Sequence, residues 1–308
     1  MFKQSCTNLT TIPKQRVRQW LSAFETVVFD ADGVLWHFDK AIDGAVEAFN
    51  QMGASGRRNF IVTNNSSMSC DSLVKKANNL GLEIDKSHML SSSLSIANYL
   101  TTKNFQRKVY VVGDVGITEE LAKLKICSFT VEPEQQQKPM HQISVEMVMD
   151  PDVGAVVVGK DDTFNVSTII RACNYLQNRK ILFLGTCMDS IYPIANNRVI
   201  IGAGAMIAAI KTVSGRKPLI MGKPNPWLLR EPINCGLINP ETTLMVGDTL
   251  STDILFAHYN GFQSLFVGTG VNRLKDVEKL RNSGNEKMMQ MVPDAYLPKL
   301  GLIHEFLS

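Results

Sequence analysis

Short apolar runs alternate with amphipathic stretches along most of the chain, and this alternation restricts the fold more than any other feature. Strands are expected at 26–30 (TVVFD), 59–63 (NFIVT), 108–112 (KVYVV), 154–158 (GAVVV), 180–184 (KILFL), 219–222 (LIMG), 243–247 (TLMVG) and 264–267 (SLFV). Helical patterns lie between many of them, at 43–52, 70–80, 165–177, 204–213 and 251–260. Strand–helix alternation of this kind builds βαβ units and a mostly parallel sheet, so the class is α/β. In open sheets of that class ligands gather at the carboxyl ends of the strands.

With 308 residues the chain can form one large domain or about two. A hydrophobic content of 44% and a charged content of 20% are those of an ordinary globular protein. A net charge of +3 with interspersed signs gives no argument for nucleic acid or an anionic membrane as partner. Six cysteines without a CxxC pair read as scattered thiols in a reducing compartment. The N-terminus lacks an apolar core of secretory length, and no apolar run nears about 18 residues. A lead-in helix fits it better than a transit peptide, and the expected location is cytoplasmic. The polar segment 131–146 (VEPEQQQKPMHQISVE) reads as a surface excursion.

Four strand ends carry polar chemistry. "VVFDADGVLW" (27–36) places Asp30 and Asp32 at the exit of a buried run, and the two-residue spacing puts both side chains on one side of an extended segment. "IVTNNSS" places Thr63 and Asn64 behind a second apolar run. "MGKPNPW" presents Lys223, and "LMVGDTLSTD" presents Asp248 with Asp253 five residues on, at the start of a helix. Each has a bland reading. An Asp at a strand exit serves as a helix N-cap, a lysine before proline is solvated, and Asp253 alone passes as a first-turn acid. Brought together, they suit a phosphoryl group with a divalent cation: carboxylates supply hard oxygen ligands, and Lys, Thr and backbone N–H groups neutralise phosphate oxygens. Leu35 and Trp36 are expected to pack the turn and shield its edge.

The series D-x-D-G-V-L-W, T-N-N-S, G-K-P and G-D-x-x-x-x-D resembles the haloacid dehalogenase superfamily of phosphatases. More narrowly, it resembles the branch of phosphoglycolate, pyridoxal phosphate and 4-nitrophenyl phosphatases. The likeness extends over "VVVGKDDTFN", "GAGAMIAAIKTVSGRKPLIMGKPNPW", "NPETTLMVGDTLSTDILFA" and "MVPDAYLPKL", nearly the whole chain. It implies a Rossmann-like parallel-sheet core formed by 1–103 and 212–308, interrupted by an α/β cap of the C2 type at 104–211.

The resemblance also implies roles. Asp30 would be the nucleophile that becomes an aspartyl phosphate, and Asp32 the general acid and then base. Thr63, Asn64 and Lys223 would hold the phosphoryl group. Asp30, the Asp32 carbonyl and Asp248 would bind Mg²⁺, with Asp253 just outside. In "GTCMDSIYP" (185–193) Asp189 and Tyr192 are candidate specificity residues of the cap. Two departures stand out: relatives read T-N-x-D where this chain has Thr186-Cys187-Met188-Asp189, and G-D-R where it has Thr249.

The expected activity is Mg²⁺-dependent hydrolysis of a small phosphomonoester, phosphoglycolate-like or 4-nitrophenyl phosphate-like. Pyridoxal phosphate or a phosphoprotein is the alternative substrate, and a catalytically weak binding or regulatory protein the alternative of another class. No nucleic acid or membrane partner is expected, and a homodimer through the cap is an option left open. A dehalogenase needs only the first acid, so Asp32, Asp248 and Asp253 argue against it. The glycine-rich "GAGAMI" (202–207) and "VGTG" (267–270) do not complete a dinucleotide-binding G-x-G-x-x-G.

Overall fold

The computed structural model describes residues 2–132, 138–194 and 198–307. The chain divides into two compact units. The first comprises Met1–Thr63, Asp71–Leu90 and Lys223–Ser308, and the second Asn64–Cys70 and Ser91–Gly222.

The first unit is organised by a seven-stranded sheet in the order Thr7–Asn8, Ala295–Leu297, Gln263–Val267, Thr243–Gly247, Thr26–Phe29, Arg58–Thr63 and Met89–Ser91. The first six strands of that order run parallel to one another. Thr26–Phe29 is an inner strand, buried on both faces as its run of β-branched and aromatic residues requires in a sheet covered by helices. One face carries Val28, Phe60, Val62 and Met245 against Leu228, Leu229, Phe256 and Phe262. The register sets Phe29 opposite Ile61 and Val246, so the three parallel strands end within two residues of one another at one edge of the sheet. The lead-in helix is found at Lys14–Leu21, with Val17, Trp20 and Leu21 buried.

A five-stranded parallel sheet organises the second unit, in the order Leu219–Ile220, Leu182–Gly185, Val153–Val158, Lys108–Val112 and Ser128–Phe129. Val153–Val158 is buried along its length. The helices Val166–Leu176 and Ala203–Ser214 pack on it through Ala172, Leu176, Met206, Ile207 and Ile210. Asn165 caps the first of these helices by accepting from the N–H groups of Ser167 and Thr168.

This unit reaches beyond 104 and 211. The helix Ser92–Thr102 packs on Val115–Lys123, and Leu219–Ile220 pairs with Leu182–Gly185, which draws both flanks into it. The segment expected as an excursion is in part a helix, Met140–Glu146, which buries Ile143. Residues 133–137 of that segment lie outside the described residues. Among the described residues no helix is long and apolar enough to cross a membrane.

Candidate active site

Asp30 stands one residue beyond the strand Thr26–Phe29, its N–H donating to the Val246 carbonyl at 2.9 Å, which continues the sheet pairing past the strand's end. The chain then turns sharply: Leu35 and Trp36 both donate their N–H groups to the Ala31 carbonyl, at 2.9 and 3.1 Å. Gly33 makes this turn with φ +88°, a conformation that side chains disfavour. Leu35 and Trp36 are fully buried, as packing of the turn demands.

Lys223 is the hub. Its ammonium is 2.5 Å from Asp30 Oδ1 and 2.8 Å from Asp253 Oδ1, and it donates to the Val62 carbonyl at 2.9 Å. The side chain is 2% exposed, so both ion pairs are shielded from water. Burial alone would lower its pKa, but the Asp253 and Asp30 carboxylates outweigh that and raise it, keeping the ammonium charged.

Asp253 is aimed by an irregular helix start. The expected helix 251–260 opens with a π turn, Leu250–Ile254, before the α-helix Leu255–Asn260. Asp253 Oδ2 thereby reaches back to accept from the N–H groups of Asp248 and Thr249, at 3.1 and 3.0 Å. Both of its oxygens are thus engaged, one by Lys223 and one by the backbone. Thr249, where relatives are expected to carry arginine, contributes here through its N–H.

Asp248 is 1% exposed and accepts from the Val271 N–H at 2.5 Å. Oxygens of Asp30, Asp248 and Asp253 all lie within 4.8 Å of one another. Three buried carboxylates facing one lysine leave negative charge uncompensated, and the pKa shifts register it. Burial and the Asp253 charge push Asp30 well above the usual carboxylate range, and the same two causes push Asp248 up to about 7. Burial also raises Asp32, tempered by the Lys76 ammonium.

The space beside Asp248 is kept by glycines. A Cβ on Gly270 would lie 1.8 Å from Asp248 Oδ2, and one on Gly33 2.8 Å from the same atom. Gly270→Ala is therefore expected to displace Asp248 and to cost about 1–3 kcal/mol of stability, read by chemical denaturation. A denaturation midpoint equal to that of the parent would contradict this reading.

Thr63 ends the strand Arg58–Thr63 and is 2% exposed. Asn64 belongs to the second unit, where its Nδ2 donates to Asp189 Oδ2 at 3.0 Å. Asp189 is half-buried, and its carbonyl accepts from the Gly204 N–H at 2.9 Å, while Gly202 N–H donates to the Ser190 carbonyl at 2.8 Å. The helix start thus fixes the loop "GTCMDSIYP". Tyr192 is half-buried with its hydroxyl 4.0 Å from the Cys187 sulfur, whose thiol burial holds far from ionisation.

Sequence reasoning missed three contributors. The Val271 N–H leaves no mark in a sequence, because any residue but proline supplies one. Gly270 lies in "VGTG", weighed as part of a dinucleotide motif; its use is close approach to Asp248. Lys76 sits in a helix whose apolar period drew attention away from its charges.

The cluster offers hard oxygen donors for a divalent cation and a buried ammonium for an anionic group. A family model described as haloacid dehalogenase-like hydrolase matches residues 27–127, and one described as HAD-hydrolase-like matches residues 220–295. The chain is 33% identical over 294 residues to glycerol-3-phosphate phosphatase of Homo sapiens, covering 93% of this chain and 92% of that one. It is 34% identical over 307 residues to the chloroplastic phosphoglycolate phosphatase 1A of Arabidopsis thaliana, covering 97% and 81%. A solved glycerol phosphate phosphatase of Mycobacterium tuberculosis in complex with magnesium superposes with a TM-score of 0.74 at 26% identity, over 92% of this chain and 78% of that one.

Proposed function

Because the chain belongs to the haloacid dehalogenase-like hydrolases and is a phosphatase acting on small phosphorylated substrates, we propose that it hydrolyses its ester in two displacements at Asp30. The observation that carries this is the Lys223 ammonium lying between Asp30 and Asp253.

In the first displacement an Asp30 oxygen forms a bond to phosphorus as the ester P–O bond breaks, and Asp32 gives its proton to the departing alkoxide. Burial raises the Asp32 pKa, which favours the protonated form this step uses. In the second, Asp32 takes a proton from water as the water oxygen bonds phosphorus, and phosphate leaves Asp30 regenerated. Lys223 reduces the repulsion between Asp30 and an anionic ester, and Thr63 contributes a hydroxyl to phosphoryl oxygens. Asn64, whose amide is held by Asp189, orients that loop in this reading.

Mg²⁺ fits the donor set. Asp30, Asp248 and Asp253 set three buried carboxylates against the one Lys223 ammonium, and the raised Asp30 and Asp248 carboxyls mark charge that a cation would offset. Asp30, Asp248 and the Asp32 carbonyl would hold the ion, which supplies charge neutralisation at the phosphoryl oxygens. Asp253, with both oxygens engaged, stays outside that set and orients it.

The proposed substrate is a two- or three-carbon phosphomonoester such as phosphoglycolate or glycerol 3-phosphate, with Asp189 and Tyr192 selecting it. The names of the two relatives support that size class. Phosphate release from phosphoglycolate, glycerol 3-phosphate, pyridoxal phosphate and 4-nitrophenyl phosphate, with Mg²⁺ and with chelator, tests it. Turnover that needs Mg²⁺ and ranks a two- or three-carbon ester first is expected; metal-independent turnover, or pyridoxal phosphate first, contradicts it. Asp189→Ala is expected to lower kcat/KM about tenfold on the best substrate and to change the ranking. An unchanged ranking would remove Asp189 from the selecting residues.

A further inference from the structure

Trp36 does more than pack. An indole N–H that is fully buried needs an acceptor, and here it donates to Asp32 Oδ1 at 3.0 Å. The turn makes this meeting local. The N–H groups of Val34, Leu35 and Trp36 converge on the Ala31 carbonyl, and Gly33 N–H donates to the Trp36 carbonyl at 2.8 Å, which brings position 36 back beside position 32. The ring is held from its other side by Lys76, whose ammonium lies 5.3 Å from the ring centroid. Lys76 is itself steadied by Asp39 at 3.5 Å, and its side chain is only 15% exposed.

With Oδ1 occupied by the indole, Oδ2 is the oxygen left to exchange a proton. We propose that Trp36 is the positioning residue for proton transfer: its N–H fixes the Asp32 carboxyl so that Oδ2 faces the ester oxygen, and Lys76 fixes the indole. This rests on the two-displacement reading above. The proton moves from Asp32 Oδ2 to the ester oxygen as the P–O bond breaks, and returns to Oδ2 from the attacking water.

The leaving group separates this role from packing. An alkoxide departs poorly without a proton, whereas 4-nitrophenolate spreads its charge over ring and nitro group and departs without one. The parameter to compare is kcat/KM, which covers the steps through alcohol release and excludes hydrolysis of the phosphoenzyme. In Trp36→Phe, the ratio of kcat/KM on glycerol 3-phosphate to that on 4-nitrophenyl phosphate is expected to fall about tenfold. In Lys76→Met, which removes the ammonium over the ring, it is expected to fall about threefold. Adding Trp36→Phe to Asp32→Asn is expected to move the ratio no further.

A parent enzyme that hydrolyses both esters, with a ratio unmoved in either variant, would overturn this inference alone. A parent that hydrolyses neither would instead count against the function proposed above. Should Trp36→Phe fail to fold, the ratio in Lys76→Met decides.

Discussion

Asp30→Asn is expected to lower kcat on every phosphomonoester by on the order of 10⁴-fold or more, because removing a nucleophile leaves only binding and charge stabilisation. The amide has nearly the shape of the carboxyl but no nucleophilic oxygen anion. Stability should move little or in the opposite direction. The Asp30 carboxyl is held well above the usual carboxylate range by burial and by Asp253, so an uncharged group suits the folded site better than a charged one. A variant with an unchanged or higher melting temperature and no turnover separates chemistry from folding. Undiminished turnover would remove Asp30 from the nucleophile's role.

Lys223→Met is expected to have the largest effect on folding. Methionine fills most of the space but leaves Asp30 and Asp253 buried without their shared cation. Breaking one partner out of a buried ion cluster costs about 3–5 kcal/mol. The penalty depends on pH in a definite direction. An acid whose folded pKa is raised contributes its stability below the unfolded value of about 3.9, and loses it as pH rises through the folded pKa. Lys223→Met should therefore be least impaired near pH 5 and most impaired near pH 8, read by denaturant titration at each pH.

The intact, metal-free protein should show the same sign in weaker form. Asp248 is pushed up to about 7 and Asp30 is raised, so stability should decline as pH rises from about 4 through 7. Mg²⁺ binds the charged carboxylates, so the rise in melting temperature it causes should be larger at pH 8 than at pH 6. A Mg²⁺ increment that shrinks with rising pH would contradict the assignment of Asp30 and Asp248 as its ligands.

The strands were legible wherever a continuous apolar run met a buried, parallel position. Lys108–Val112 and Thr243–Gly247 have the expected limits. The helix Ser92–Thr102 was not legible, because its sequence, SSLSIANYLTT, opens on serines that read as loop. Those serines are buried and satisfied by distant carbonyls: Ser92 by Asn64, Ser93 by Ser66 and Ser95 by Met221. Long-range partners of that kind leave no periodic trace. Two-residue edge strands such as Thr7–Asn8 are set by their neighbours and carry no pattern of their own.

In the site, the positions most visible beforehand were side chains at strand ends. Asp30 and Asp248 converge because adjacent parallel strands release their chains at one edge, whereas Lys223 follows Leu219–Ile220, a strand of the five-stranded sheet, and Asp253 is turned in by the π turn Leu250–Ile254. What stayed hidden depends on backbone geometry and on contacts across a turn. The Val271 N–H on Asp248, the room kept by Gly270 and the indole on Asp32 are of that sort. Asn64 joins Asp189, a pairing between residues 125 positions apart that spacing cannot foretell.

The central claim is a covalent phosphoenzyme at Asp30. In Asp32→Asn the first displacement should still proceed with 4-nitrophenyl phosphate, whose leaving group needs no proton, while hydrolysis of the intermediate loses its base. Borohydride reduces an acyl phosphate to an alcohol, so quenching this variant during turnover and sequencing its peptides by mass spectrometry reads the site of attachment. The account predicts homoserine at position 30, present with Mg²⁺ and substrate and absent without substrate. Homoserine at another position, or steady phosphate release with Asp30 never modified, would contradict it.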